Sequence, residues 1–338
     1  MDLLTGALIV VGLVVFETIS SIDNAIINAD VLATMGQRAR RWFLIWGLLF
    51  AVFVIRGVLP WLIVWIATPG LGPIEALTAT FSEDPRVIAA IEESAPIMLT
   101  GGGTFLVFLF LHWLFLEPKH FGLRGERIII RKGIWFYAVA SIVLLVIVWI
   151  CIQTNPMMAF AAVVGSTGFF IVSGFRTNAE QAEQQLVEGK TSLSDWSKIL
   201  YLEIIDATFS IDGVIGAFAF TLSVPLILLG NGIGAFVVRE VTIRHVDQVK
   251  KYPFLKNGAM YSIAFLGMIM LMDGFGFHIP PWVSPIFTIS IVVFFLVRSI
   301  RYNGMAQVND PAAAFPDLFS IADEPSPENG LIPDRNDK

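Results

Sequence analysis

Two eight-residue stretches carry residue types that could hold a cation. The first is Glu17-Thr-Ile-Ser-Ser21-Ile-Asp23-Asn24 and the second is Asp206-Ala-Thr-Phe-Ser210-Ile-Asp212-Gly213. In each, an acid is followed at +4 by Ser, at +5 by Ile, at +6 by Asp and at +7 by Asn or Gly. A further match lies downstream in the same order: Phe53-Val-Ile-Arg56-Gly57 and Phe236-Val-Val-Arg239-Glu240. One short match would be chance; two in register read as an internal repeat. On a helix, Glu17, Ser21 and Asn24 share a face, and so do Glu203, Asp206, Ser210 and Gly213. Asp23 and Asp212 stand six residues from the leading acid and join these faces only where the helix breaks. The donors are all oxygen: carboxylates, the Asn24 amide, the Ser21 and Ser210 hydroxyls and any freed backbone carbonyl. Such a set suits Mn2+, Mg2+ or Ca2+ rather than Zn2+ or Cu+. Neither Cys151, the one cysteine, nor any of the four histidines (His112, His120, His245, His278) lies in the motifs. Four or five carboxylates do not all stay ionised together without counter-charge. A divalent cation would supply it, with Arg56 and Arg239 as the chain's own charge-balancing residues. Protons would replace a departing metal, since neighbouring carboxylates share them.

The elements that must position these residues belong to a membrane. Of 338 residues, 56% are hydrophobic and 15% charged, and the mean hydropathy is +0.74. An average soluble domain is about 25% charged. The stretches Leu3–Phe16, Trp42–Ile55, Ile134–Ile152 and Pro280–Val297 are almost free of charge. Each approaches the roughly 20 residues that cross a bilayer's hydrocarbon core. This excludes a soluble enzyme, a disordered chain and a nucleic-acid-binding module, and a lone cysteine excludes a disulfide scaffold. The fold class is all-α: a polytopic membrane protein with about nine transmembrane helices. The predicted spans are 3–35, 42–66, 97–117, 133–153, 157–174, 198–222, 225–243, 257–274 and 281–300. No cleavable leader is expected at the acidic N-terminus. The first span is too long for a straight crossing, and an unwinding near Ser20–Asn24 would absorb the excess. Ser, Asp and Asn all weaken helix interiors.

Orientation follows from Lys and Arg. Of 22, three lie in 38–41, five in 119–132, three in 176–198, four in 244–256 and four after residue 297. All of these fall in alternate loops or the tail, and only Arg86 lies in the opposite set. The longest opposite loop, 68–96, holds Glu75, Glu83, Asp84, Glu92 and Glu93 instead. The expectation is a multi-pass protein of the plasma (inner) membrane with its N-terminus outside and its C-terminus cytoplasmic.

The body is 1–302. Repeat 1 covers about 1–117 and repeat 2 about 198–276. Linking helices fill about 133–174, and a final helix 281–300. Five helices separate the first helix of one repeat from that of the other, so the repeats run oppositely through the membrane. Inverted repeats of this kind build secondary transporters with a site near the bilayer midplane, and both motifs straddle the middle of their spans. A carboxylate there costs at least about 2.5–3.5 kcal/mol on insertion scales, and intramembrane ionisable residues mark function by default. The plain alternative is that Arg56 and Arg239 pair with the acids to hold the bundle. Ser21 and Ser210 fit close helix packing as well as ligation, and Arg239 fits snorkelling toward the inner face. Gly101-Gly102-Gly103 reads as close packing or an irregular helix start. His112 and Asp273 read as structural more readily than as a gate. The tail, 303–338, has seven acids, two bases and five prolines. It reads as a disordered cytoplasmic extension able to recruit partner proteins.

The paired acidic motifs, the mid-span arginines and His278-Ile-Pro280 before the last span resemble the TerC family of membrane proteins. The longer spans and the tail resemble its DUF475 branch. The resemblance covers most of 1–300 and implies a LysE-like exporter fold with a role in metal homeostasis or tellurite resistance. It implies outward movement of Mn2+ or a related cation, with Glu17, Asp23, Asn24, Asp206 and Asp212 as metal-site candidates. Gly213 departs from the pattern, which often has Asn there. The reading is therefore a divalent-cation transporter and not an enzyme. Its partners are the lipid bilayer, the transported ion and protons as counter-ion, with no nucleic acid and no resident cofactor. Competing readings are a scaffold in a tellurite or envelope-stress complex and an exporter of a small organic solute. An intramembrane aspartyl protease would need a Gly-x-Gly-Asp context, which is absent.

Overall fold

The break expected in the first span falls at Ser21. Helix α1 runs over Leu3–Ser20 and α2 over Ile22–Ala33. Ser21 between them has φ −92° and ψ 4°. Its N–H still donates to the Glu17 carbonyl at 3.1 Å, so the helix bends there without stopping. The computed structural model describes residues 3–79, 82, 84–118, 123–187, 194–244, 246–249 and 251–309. After α2 come α3 (Gln37–Ala67), α4 (Pro73–Thr78), α5 (Pro85–Leu116), α6 (Arg124–Ile130) and α7 (Phe136–Thr154). The remainder are α8 (Pro156–Val187), α9 (Asp195–Ala217), α10 (Val224–Arg244), α11 (Val246–Val249), α12 (Leu255–Gly274) and α13 (Val283–Asn309). Among the described residues eight helices are long and apolar enough to cross a membrane. The sixth expected span, α9, is long enough but carries Asp195, Lys198, Glu203, Asp206 and Asp212. The chain is an all-α polytopic membrane protein.

Several boundaries differ from expectation. The predicted loop 68–96 holds α4 and the first turns of α5. That helix starts at Pro85 rather than near 97, because Asp84 accepts the Arg86 N–H at 2.9 Å and Pro85 occupies the first turn. α8 continues past 174 to Val187, and α13 past 300 to Asn309. The expected tail from residue 310 on, with His120 and His245, lies outside the described residues.

α3 is wound as a π-helix over Phe43–Gly47 and Ala51–Val58, and the second stretch carries Arg56. Such turns are rare in helices and cluster at functional sites. Gly101-Gly102-Gly103 lies well inside α5. A Cβ on these residues would sit 3.1 Å from the Ala161 carbonyl oxygen, 2.5 Å from Met270 Cε and 2.9 Å from the Gly267 carbonyl oxygen. The triplet therefore lets α8 and α12 close on α5. The core under them is Leu106, Phe108, Ile263, Leu266 and Met270, joined by Ile9, Leu13 and Phe16 of α1.

The two motif helices lie antiparallel. Passing down α1 and α2, Gly12 meets Phe220, Phe16 meets Gly216 and Glu17 meets Gly213. Asn24 then bonds Asp206, Thr34 bonds Lys198 and Gly36 bonds Asp195. Each step forward on one helix is matched by a step back on α9, the arrangement an inverted repeat requires. This ladder brings Ser21 opposite Ser210, which hold the same place in the two motifs.

Candidate cation site between the motif helices

The ladder sets the leading acids of the two motifs on either side of Arg56. Its Nε donates to Glu17 Oε1 at 2.8 Å and its Nη1 to Asp206 Oδ2 at 3.3 Å. Ser21 Oγ donates to the same Glu17 oxygen at 2.9 Å. Asn24 Nδ2 donates to Asp206 Oδ1. Glu17 and Arg56 are buried, with 0% and 2% exposure. Glu17, Ser21, Asn24, Asp206 and Arg56 thus meet at one place. Gly213 and Gly234 close over it. A Cβ at 213 would stand 2.5 Å from Glu17 Oε2, and one at 234 would stand 2.6 Å from Glu17 Cβ.

Beside this cluster is a chamber of about 50 Å3, lined by Asn28, Gly47, Arg56, Glu203, Asp206 and Arg239 among others. Asn28 is one turn along from Asn24, and Glu203 one turn before Asp206, so the ladder stacks them as a second layer. Gly47 makes room, since a Cβ there would run into Glu203 Oε1. Buried acceptor oxygens collect around it without hydrogen-bond partners: both of Glu203, Asn28 Oδ1 and Asn24 Oδ1, with Glu17 Oε2 just beyond. Arg239 Nε and Ser210 Oγ are buried without partners too. Sequence reasoning missed Asn28, although its place four residues after Asn24 on one helix face was the available signal.

Asp23 and Asp212 do not join the cluster. The bend at Ser21 keeps the helix in phase, and α9 is unbroken through its motif. A residue six along an intact helix points about 240° away from the first. Asp23 therefore pairs with Lys256 at 2.8 Å, which also contacts Glu117. Asp212 pairs with Arg176, whose guanidinium lies 4.4 Å over the Phe209 ring. Asp212, Arg176, Glu117, Lys256 and His112 border a second cavity of about 470 Å3. His112 approaches Ser173 at 3.4 Å and stands edge-on to Phe136 and Phe169. Asp273 accepts the Ile279 N–H at 3.1 Å and fixes the turn after α12. Among the described residues no three His, Cys, Asp or Glu side chains are grouped closely enough to hold a metal ion by themselves.

Residues 22–306 match a family described as "Protein of unknown function (DUF475)". The chain belongs to the DUF475 family. The match includes Asn24, Asn28, Arg56, Glu203 and Asp206 and begins just after Glu17 and Ser21. Among curated proteins the chain is similar to the uncharacterized membrane protein YceF of Bacillus subtilis, at 30% identity over 35% of this chain and 46% of YceF. It is similar also to the UPF0053 inner membrane protein YoaE of Escherichia coli K12, at 27% identity over 30% of this chain and 20% of YoaE. An uncharacterized membrane protein of Rickettsia felis matches at 26% identity, over 32% of this chain and 35% of its own length. The chain thus spans less than half the length of each of these relatives. No solved structure matches it.

In this DUF475 protein the central arrangement can do one kind of chemistry well. It offers carboxylate and amide oxygens to a positive charge beside a small recess among the helices. The Glu17 and Asp206 carboxylates already share one guanidinium, so an arriving cation would meet a site balanced for less than two full negative charges.

Proposed function

We propose that this protein carries a small divalent cation across the membrane, Mn2+ first among the candidates, through the chamber lined by α2, α3, α9 and α10. The observation that carries the reading is the chamber itself: about 50 Å3, bordered by Asp206, Glu203 and Asn28, with both Glu203 oxygens and Asn28 Oδ1 buried without donors. A water molecule needs about 10–15 Å3 measured this way. The chamber therefore admits a few water-sized groups, whereas sites for small organic ligands run to about 300–1,000 Å3. That disfavours an amino acid or similar solute. Small hard cations are bound through one or two carboxylates while keeping part of their water. Asp206 and Glu203, with Asn24 and Asn28 oxygens, match that mode and would release the ion readily. The TerC-like motifs support a role in metal homeostasis or tellurite resistance and outward movement, and the neighbouring carboxylates support protons as counter-ion. The basic loops support a cytoplasmic C-terminus. Asp23 and Asp212 support the site from outside it, by fixing α2 and α9 to neighbouring helices.

Purified protein in liposomes should move Mn2+ down an imposed gradient, read by quenching of a trapped fluorophore. Asp206→Asn and Glu203→Gln should each cut the rate at least tenfold while the protein still elutes as a folded species. Equal rates in the variants and the unsubstituted protein, or no flux above protein-free vesicles, would overturn the reading in favour of a scaffold.

A further inference from the structure

When the cation leaves, something must balance the acids it leaves behind. Arg56 is placed for that. It bridges the leading acid of one motif to the leading acid of the other, at 2.8 Å to Glu17 and 3.3 Å to Asp206. The guanidinium stays protonated throughout, so it is a permanent charge and not a titrating group. The two contacts are unequal. Each acid has a second donor, Ser21 for Glu17 and Asn24 for Asp206, but Glu17 is fully buried, whereas the Asp206 side chain is 12% exposed, takes the longer contact to Arg56 and borders the chamber. Arg56 borders the same chamber and sits on the π-wound stretch of α3.

We propose that Arg56 is a tethered counter-ion that competes with the cargo for Asp206. In the empty carrier the guanidinium holds Glu17 and Asp206 together, and with them the two repeats. An entering divalent cation takes Asp206, with Glu203 and the Asn28 oxygen, and Arg56 keeps Glu17 alone. This rests on the cation reading above and adds two consequences. Affinity is held down, because the cation must displace a charge-assisted hydrogen bond. The empty carrier can also change conformation with its central acids neutralised, so net transport does not require a second cargo ion on the return.

The test uses Mn2+ and the full chain, as the unsubstituted protein, Arg56→Gln and Arg56→Lys. Three quantities are read: Mn2+ affinity in detergent, exchange of radioactive Mn2+ across liposomes holding Mn2+ on both sides, and net Mn2+ flux into Mn2+-free liposomes. For Arg56→Gln the expected result is affinity at least tenfold tighter, with net flux at least tenfold slower while tracer exchange persists. Affinity no tighter than that of the unsubstituted protein, or undiminished net flux, would overturn the proposal. Should Arg56→Gln fail to fold, Arg56→Lys decides. Its point charge reaches one acid and not both, so it should bind Mn2+ at least threefold tighter, and unchanged affinity would sink the idea. Failure of the cation reading looks different: the unsubstituted protein itself would neither bind Mn2+ nor move it.

Discussion

Gly213 stands where the first motif has Asn24, and the reason is steric. The Glu17 carboxylate occupies the space that a side chain on residue 213 would need, at 2.5 Å from an added Cβ. Glu17 is not free to move aside, because Arg56 and Ser21 both hold it. Gly213→Ala should therefore destabilise the protein by about 1–3 kcal/mol through overpacking, read as a Tm several degrees lower in detergent. Gly174→Ala is the control: nothing lies within 4 Å of its added Cβ, and alanine in a helix interior should be neutral or better. Equal melting temperatures for the two variants would refute the close approach. At this scale the sequence was informative about which side chains share a helix face, and Glu17, Ser21, Asn24, Asp206 and Arg56 do meet. It was silent about why one motif ends in Gly, since the space taken by Glu17 exists only once α1 and α9 are packed together.

An intact helix explains the largest departure from the sequence reading. The first motif was expected on a broken helix, and the bend does fall at Ser21, where Ser, Asp and Asn lower helix propensity. α9 nevertheless runs unbroken through Ser210, Asp212 and Gly213, so Asp212 faces α8 instead of the cluster. There it forms a largely buried pair with Arg176, with side-chain exposures of 8% and 18%. Removing one member of such a pair leaves the other charge stranded, typically at about 3–5 kcal/mol, whereas removing both costs less. Asp212→Asn should thus lower Tm more than the double variant Asp212→Asn/Arg176→Gln does. If the double variant melts at the sum of the two single losses, the residues act independently. Other element-level features were partly legible. The Asp84-Pro85 start of α5 is an ordinary capping signature that the hydropathy of 68–96 obscured. The π-winding of α3 leaves no mark in composition, because it comes from packing against α9 and α10 rather than from propensity.

At the scale of the whole molecule, the contacts sort the helix ends into two sets. One end gathers Thr34 with Lys198, Gly36 with Asp195, Glu117 with Lys256, Glu126 with Asn257, and Lys251 with Asn303. The other gathers Thr68 with Ser94, Trp61 with Pro73, and Ala219 with Ser284. Arg38, Arg40, Arg41, Arg131, Lys132, Arg244, Lys251, Arg298 and Arg301 all belong to the first end by their place on the helices. Among the described residues the second end has Arg86, already paired with Glu75 at 2.8 Å and near Asp84 at 3.6 Å. The charge asymmetry inferred from loop positions is therefore a property of two physical faces, and we propose from the retention of Lys and Arg on the cytoplasmic side that the basic face is the inner one. Cys151 is the sole cysteine and is fully buried, so it is a silent background for labelling. Gln153→Cys, exposed at the end of α7 away from the basic face, should on this proposal react in intact cells with a membrane-impermeant maleimide. Lys132→Cys, exposed at the opposite end before α7, should react only after the membrane is opened. The reverse pattern would place the chamber, which lies on the basic side of the Glu17–Asp206 pair, toward the exterior. It would turn the proposed exporter into a carrier caught facing outward.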